Sequence, residues 1–232
     1  MTDLHTHILP GIDDGSKNTE MSIQMLKAEL EQGIDSVALT SHFYRDLETP
    51  EMFLKKRQNA FEELRKAISA SSGSFPKLYL GAEVAWVQGL SEWEEAEALC
   101  YEGTRFMLVE PPFQPWTSVF LRELLELQSR RNITPVIAHI DRYYNSQTKE
   151  SLKAILEMDF PVQISSSAFL DFWSKGTALR YIREGKAQLI ISDCHNMSSR
   201  KPNLCEAMEV IIKRFGNDAY RLFDETDEIL MG

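Results

Sequence analysis

Long apolar runs are missing from these 232 residues: no stretch reaches the roughly 18 residues that a bilayer span requires. The opening Met1 to His5 also has neither the basic region nor the apolar stretch of a signal peptide. A cytoplasmic chain without membrane insertion is therefore expected. Cysteine is scarce, three in number with no CxxC pair, which fits reduced thiols and excludes a disulfide framework. Positive charge is in deficit. Lys plus Arg total 25 against 35 Asp plus Glu, a net charge of -10, and the basic residues are dispersed, so nucleic acid is not an expected partner. Such acidity repels an anionic substrate unless bound divalent cations offset it.

What is present is ordinary for a globular protein. Hydrophobic residues make up 43% and charged residues 26%, which excludes disorder, collagen-like repeats and disulfide miniproteins. Seven apolar, β-rich runs alternate with helical patterns: Met1 to His5, Ile34 to Thr40, Leu78 to Val84, Arg105 to Glu110, Pro135 to His139, Val162 to Ser165 and Ala187 to Ser192. Continuous apolar runs suit strands covered on both faces, so the expected fold is α/β, a parallel (β/α)7 barrel forming a single domain over residues 1–232. Between them, Asn18 or Thr19 caps a helix that Gly33 stops, and Thr49-Pro50 opens the next. Ser91 and Glu94 form a capping box, and further helices run near 119–131, 149–158, 169–184 and 204–215. The serines of 69–74 read as a helix end and loop.

All five histidines, His5, His7, His42, His139 and His195, fall at or just past a strand end. Carboxylates hold matching places: Asp13 and Asp14 after the first strand, then Glu83, Glu110 and Asp193. In a β/α barrel the strand carboxyl ends converge on one mouth, so these residues meet there. One histidine at a strand end is commonly structural; five together with carboxylates point to zinc, iron or manganese, and so many candidate ligands suit two or three ions.

Here the residues carry a resemblance. His5-Thr6-His7, Asp14, Ser41-His42, Glu83, Glu110, His139 and Asp193-Cys194-His195 resemble the polymerase and histidinol phosphatase (PHP) metallo-family across the whole chain. The segments Asp3 to Gly15, Ala138 to Tyr143 and Ser192 to Arg200 are more narrowly similar to its capsule-associated bacterial protein-tyrosine phosphatases. The sequence departs from that subgroup at Ser41, Ile140-Asp141 and Cys194, which removes no ligand. The resemblance implies a distorted barrel of the PHP type and a trinuclear site. His5, His7, Glu83 and Asp193 would hold one ion, Glu83, Glu110 and His139 a second, and Asp14, His42 and His195 the third. Manganese is the ion usual in the subgroup, iron or zinc elsewhere in the family. Arg142 and Arg200 match its phosphate-binding arginines and are expected to act on substrate without touching the ions. The implied reaction is hydrolysis of phosphotyrosine by a hydroxide bridging two ions, with a tyrosine autokinase of capsule or exopolysaccharide synthesis as partner.

Three other readings stay open at this point. A small-molecule phosphatase, for example one acting on histidinol phosphate, would use the same ligands. A metal-stabilised regulatory module would keep them without turnover. Cys194 and Arg200 also make the C-x5-R spacing of thiolate phosphatases, although no glycine lies between them to fold backbone amides round phosphate. The aromatics Tyr44, Trp86, Phe113, Trp116, Tyr143, Phe172 and Trp173 follow strand ends and are either rim or packing.

Overall fold

The computed structural model describes residues 1–216 together with 219 and 229. It is an α/β fold in which every paired strand is parallel. The strands are β1 (Thr2–Thr6), β2 (Ser36–Leu39), β3 (His42–Phe43), β4 (Lys77–Leu80), β5 (Glu83–Ala85), β6 (Phe106–Glu110), β7 (Thr134–Ile137), β8 (Gln163–Ser165) and β9 (Leu189–Ile191). They form sheets in the orders β1-β2-β4, β3-β5-β6-β7 and β8-β9. Single bridges at Thr6–Cys194 and Ile137–Val162 join the third sheet to the other two.

The run at 34–40 forms β2, with the short β3 beyond it after Thr40 and Ser41, and the run at 78–84 is split into β4 and β5. Gly81 lies in the break between β4 and β5. A Cβ there would lie 3.0 Å from a Thr40 methyl and 3.1 Å from the Tyr101 ring, so a larger residue would push those side chains back.

Side chains alternate between two apolar clusters, as the period of two along a strand requires. Leu4, Ala38, Leu108, Val136, Leu189 and Ile191 fill the smaller cluster. Val37, Leu39, Met107, Val109, Ile137 and Ile190 face the larger one, under the helices. Both faces are buried, which is why the strands read as continuous apolar runs. Truncating one such residue, Ile190→Ala for instance, would cost about 2–5 kcal/mol.

The helices are α1 (Thr19–Glu31), α2 (Pro50–Ala70), α3 (Ser118–Arg131), α4 (Lys149–Leu156), α5 (Ser167–Leu170), α6 (Lys175–Arg183) and α7 (Leu204–Phe215). Asn18 caps α1, accepting from the Met21 amide at 2.9 Å, and Thr49 caps α2, which ends at Ser71. The expected helix at 169–184 is two. Asp171 ends α5 and accepts from the amides of Trp173 and Ser174, an Asx turn competing with the helical ladder. The expected capping box at Ser91 is also absent. Short 3₁₀ turns occupy Leu90–Glu92 and Glu94–Leu99, and the Ser91 hydroxyl donates to Glu126 on α3 instead. Among the described residues no helix is long and apolar enough to cross a membrane.

Candidate metal centre

The strand alternation that builds the smaller cluster also aims the ligands. His42 stands four residues after Ala38, Glu83 four after Tyr79, Glu110 two after Leu108 and Asp193 two after Ile191, so each is in phase with that cluster's face. His139 is one residue out of phase and takes φ 24°, and Asp193 takes φ 52°. Left-handed backbone at two non-glycine residues costs about 1–3 kcal/mol each, a strain typical of functional sites. His5 follows Leu4 where the β1–β2 register shifts.

The floor of the site is wholly buried. His5 Nε2 and His7 Nε2 face each other at 3.2 Å, and Glu83 Oε2 lies 3.1 and 3.2 Å from them. Asp193 Oδ1 completes the group at 3.7 and 3.5 Å. Burial opposes charge on His7, yet hydrogen bonds to Asp13 and Glu83 outweigh it and lift its pKa to about 10. Burial likewise opposes charge on Glu83, and the charges of His5 and His42 hold it well below the usual carboxylate range. This cluster demands positive charge. Five of its buried polar atoms, His42 Nδ1, Glu83 Oε2, His139 Nδ1, Asp193 Oδ1 and His195 Nε2, have no hydrogen-bond partner among the described residues. His42 Nδ1 and Glu83 Oε2 approach to 2.9 Å without hydrogen-bond geometry. Imidazoles and carboxylates converging in this way form a donor set that fits transition-metal ions.

Ligand atoms gather in three groups, each within 4.8 Å: His5, His7 and Asp193; His7, Asp14, His42 and His195; and His42, Glu83 and Glu110. Eight of the nine expected ligands fall in them. The ninth, His139, lies beside the third group, its Nε2 at 2.7 Å from Glu83 Oε1 and 3.7 Å from Glu110 Oε1. Burial and the neighbouring His7 drive the His195 pKa down to about 3.

Both arginines meet at Asp193. Arg142 Nη2 donates to Asp193 Oδ2, and Arg200 Nη2 does so at 2.8 Å. Asp193 thus turns Oδ1 to the histidines and Oδ2 to the arginines. Arg142 and Arg200 are thereby anchored on a carboxylate that is itself an expected ligand.

Sequence reasoning placed Asp13 in the loop and gave it no role. It is the brace of the site, accepting from His7 Nδ1 at 2.8 Å, the His42 amide at 2.9 Å and the Gly15 amide at 3.0 Å. Such a carboxylate fixes the tautomer and direction of a ligating imidazole. Gly15 must be glycine, since a Cβ would stand 2.2 Å from the His7 carbonyl oxygen. Gln163 performs for His5 Nδ1, at 2.9 Å, what Asp13 does for His7. The signal that could have found both is that a ligating histidine needs a partner for its second nitrogen. Cys194 is fully buried against Glu29, Sγ to Oε1 3.4 Å, and burial followed by the Glu29 charge pushes its thiol well up. No thiolate nucleophile is available there. Of the aromatics, Trp116 and Tyr143 are packed inside, Trp86 donates to Glu123, Tyr44 stacks on His42 at 5.2 Å, and Phe113, Phe172 and Trp173 are exposed.

A parallel α/β fold whose strand ends gather imidazoles and carboxylates about shared points defines a protein with a candidate polynuclear metal centre. Residues 1–230 match the family model for capsular polysaccharide synthesis, CpsB/CapC, and the chain belongs to that family. It is 30% identical to the tyrosine-protein phosphatase CpsB of Streptococcus agalactiae serotype III, covering 100% of this chain and 98% of the relative. It is 28% identical to the tyrosine-protein phosphatase YwqE of Bacillus subtilis, over 100% and 91%. The fold matches, with a TM-score of 0.82 and 24% identity over 100% of this chain and 94% of the other, a structure from a study of YwqE from Bacillus subtilis and CpsB from Streptococcus pneumoniae, titled there unique metal-dependent tyrosine phosphatases.

Proposed function

We propose that this chain is a metal-dependent protein-tyrosine phosphatase of capsule or exopolysaccharide synthesis, with a bacterial tyrosine autokinase as its protein substrate. The observation that carries the reading is the convergence of His5, His7, Glu83 and Asp193 on one buried point, with two guanidiniums on the outer oxygen of Asp193. His7 Nδ1 is occupied by Asp13, so His7 has one nitrogen for one ion, and its distances to His5 and Glu83 support placing it with them. Glu83, Glu110 and His139 would hold a second ion, and Asp14, His42 and His195 a third, with manganese the first choice and iron or zinc the alternatives. The parallel order, the split strands and the two single bridges support a distorted seven-stranded barrel forming one domain.

When bound, such ions supply Lewis acidity and bring the pKa of water towards neutrality. The chain's own residues do the rest. Arg142 and Arg200, half-buried at the rim and oriented by Asp193, are placed to hold phosphate oxygens through charge-assisted bonds. A tyrosine phenolate, with a pKa of about 10, leaves with little help from a general acid. The test is metal analysis beside hydrolysis of a phosphotyrosine peptide and of histidinol phosphate, each with Mn²⁺ or EDTA. Two or three ions per chain, with EDTA-sensitive hydrolysis of the peptide over histidinol phosphate, is the expected result. A metal-loaded protein without turnover would make it a regulatory module.

A further inference from the structure

A groove of about 540 Å³ opens beside the centre, with Asp14 and His42 among its lining residues. Its construction follows local rules. His42 and Tyr44 are two residues apart about the buried Phe43, so their rings project to one side and stack. The Thr49 cap and Pro50 start α2 so that Met52 and Lys56, one turn apart, lie off the buried stripe of Phe53, Ala60 and Leu64. Leu47 stands in the turn before them. The result is an apolar wall left open to solvent: Leu47 is 78%, Met52 57% and Tyr44 38% exposed. Large apolar side chains gathered against a site mark a place where something binds.

The charge in the groove narrows what that is. Its cation, Lys56, is paired with Glu48 at 2.9 Å. A carboxylate entering the groove would lose water without gaining a free cation, and an uncharged side chain avoids that cost. The volume lies within the roughly 300–1,000 Å³ of small-ligand sites and exceeds what one phenol ring fills, so the residue next to a phosphotyrosine has room there.

We propose that this groove is a specificity subsite for an apolar side chain flanking the phosphotyrosine of the substrate, with Tyr44, Leu47 and Met52 as its specificity-determining residues. This rests on the phosphotyrosine reading above. The groove is continuous with the candidate centre through His42, so a peptide with its phosphate at Arg142 and Arg200 can lay a neighbouring residue along it.

The experiment uses the Mn²⁺-loaded full chain and three phosphotyrosine peptides that differ only in carrying Leu, Gly or Glu at the flanking positions. The wild type should favour Leu over Gly in kcat/KM on the order of tenfold, with Glu lowest. Peptides carrying phosphonomethyl-phenylalanine in place of phosphotyrosine should bind in the same order, a readout independent of turnover. In Leu47→Ser/Met52→Ser, whose positions are exposed and carry little folding energy, the Leu-over-Gly preference should fall to near unity. Equal use of the three peptides by the wild type, or a preference that survives in the double variant, overturns the subsite. A wild type that hydrolyses p-nitrophenyl phosphate but no phosphotyrosine peptide overturns the underlying reading instead, and the two failures are distinct.

Discussion

The floor and the rim of the centre are built differently. On the floor, His5, His7 and Glu83 are wholly buried, and each is gripped by a second contact: Gln163 on His5, Asp13 on His7, His139 on Glu83. At the rim, Asp14 is 65% exposed, Tyr44 and the two arginines are partly so, and all come from loops, a short turn or the residues just past a strand. His5 and Glu83 are held by residues 158 and 56 positions away, and His7 by the loop that follows it. On the proposed function the floor would hold ions and the rim would recognise substrate.

That division can be broken, most severely at Glu83. Removing this carboxylate takes a contact from His5, His7, His42 and His139 at once, so Glu83→Ala should lose bound metal and with it all phosphatase turnover, read by metal stoichiometry beside kcat. Full metal occupancy in that variant would contradict the floor's role. Next in size is Asp13→Ala, which leaves every direct ligand in place but frees His7 and should weaken metal binding about 10–100-fold, measured by titration with Mn²⁺. At the rim, Arg200→Ala should lower kcat about 100-fold. Because Asp193 also loses one of its two arginine partners, some loosening of metal is expected, smaller than in Asp13→Ala. Equal metal loss in the two variants would erase the distinction between floor and rim.

A subtler test lies beneath the floor. Asp3 and Glu29 are fully buried; burial pushes Asp3 up to about 6, and burial together with the charge of Asp3 holds Glu29 well above its ordinary range. Both bind protons more tightly folded than unfolded. Their stabilising contribution is therefore complete below about pH 4 and declines as pH rises through about 6 for Asp3 and higher for Glu29. Glu29→Gln fixes the neutral form, so at saturating metal its Tm should fall less than the wild type's between about pH 5 and pH 8. Identical slopes would show that these acids do not titrate across that range. The smallest effect is expected for Cys194→Ser, which should keep most activity. Trapping a phosphocysteine there would sink the metal mechanism.

Much of the floor was legible because its signals are local. Apolar runs with no polar alternation announced parallel strands buried on both faces, and a histidine or carboxylate at or just past the end of six of the seven runs announced the cluster. What stayed hidden depends on partners remote in sequence. The close packing at the break after β4 comes from Thr40 and Tyr101, which stand against Gly81. Ser91 and Glu94 have the spacing of a cap, yet Ser91 is claimed by Glu126. Asp13 and Asp14 are chemically identical neighbours, and only the fold turns one inward as the brace of His7 and the other outward towards Arg200.

The pairing of β1 with the segment after β9 has one more consequence. Asp193 donates its amide to the His5 carbonyl at 3.0 Å, Thr6 bridges Cys194, and Asp3 accepts from the Ser192 amide 189 positions away. During synthesis His5 and His7 leave the ribosome early, but the carboxylate that completes their group is among the later residues made. Contacts of such sequence separation form late, since the loop they close must first be ordered. A nascent chain halted before Asp193 would lack Asp193, His195 and the pairing of Thr6 with Cys194. On the proposed function, tight metal uptake would then wait on the meeting of β1 with the segment after β9.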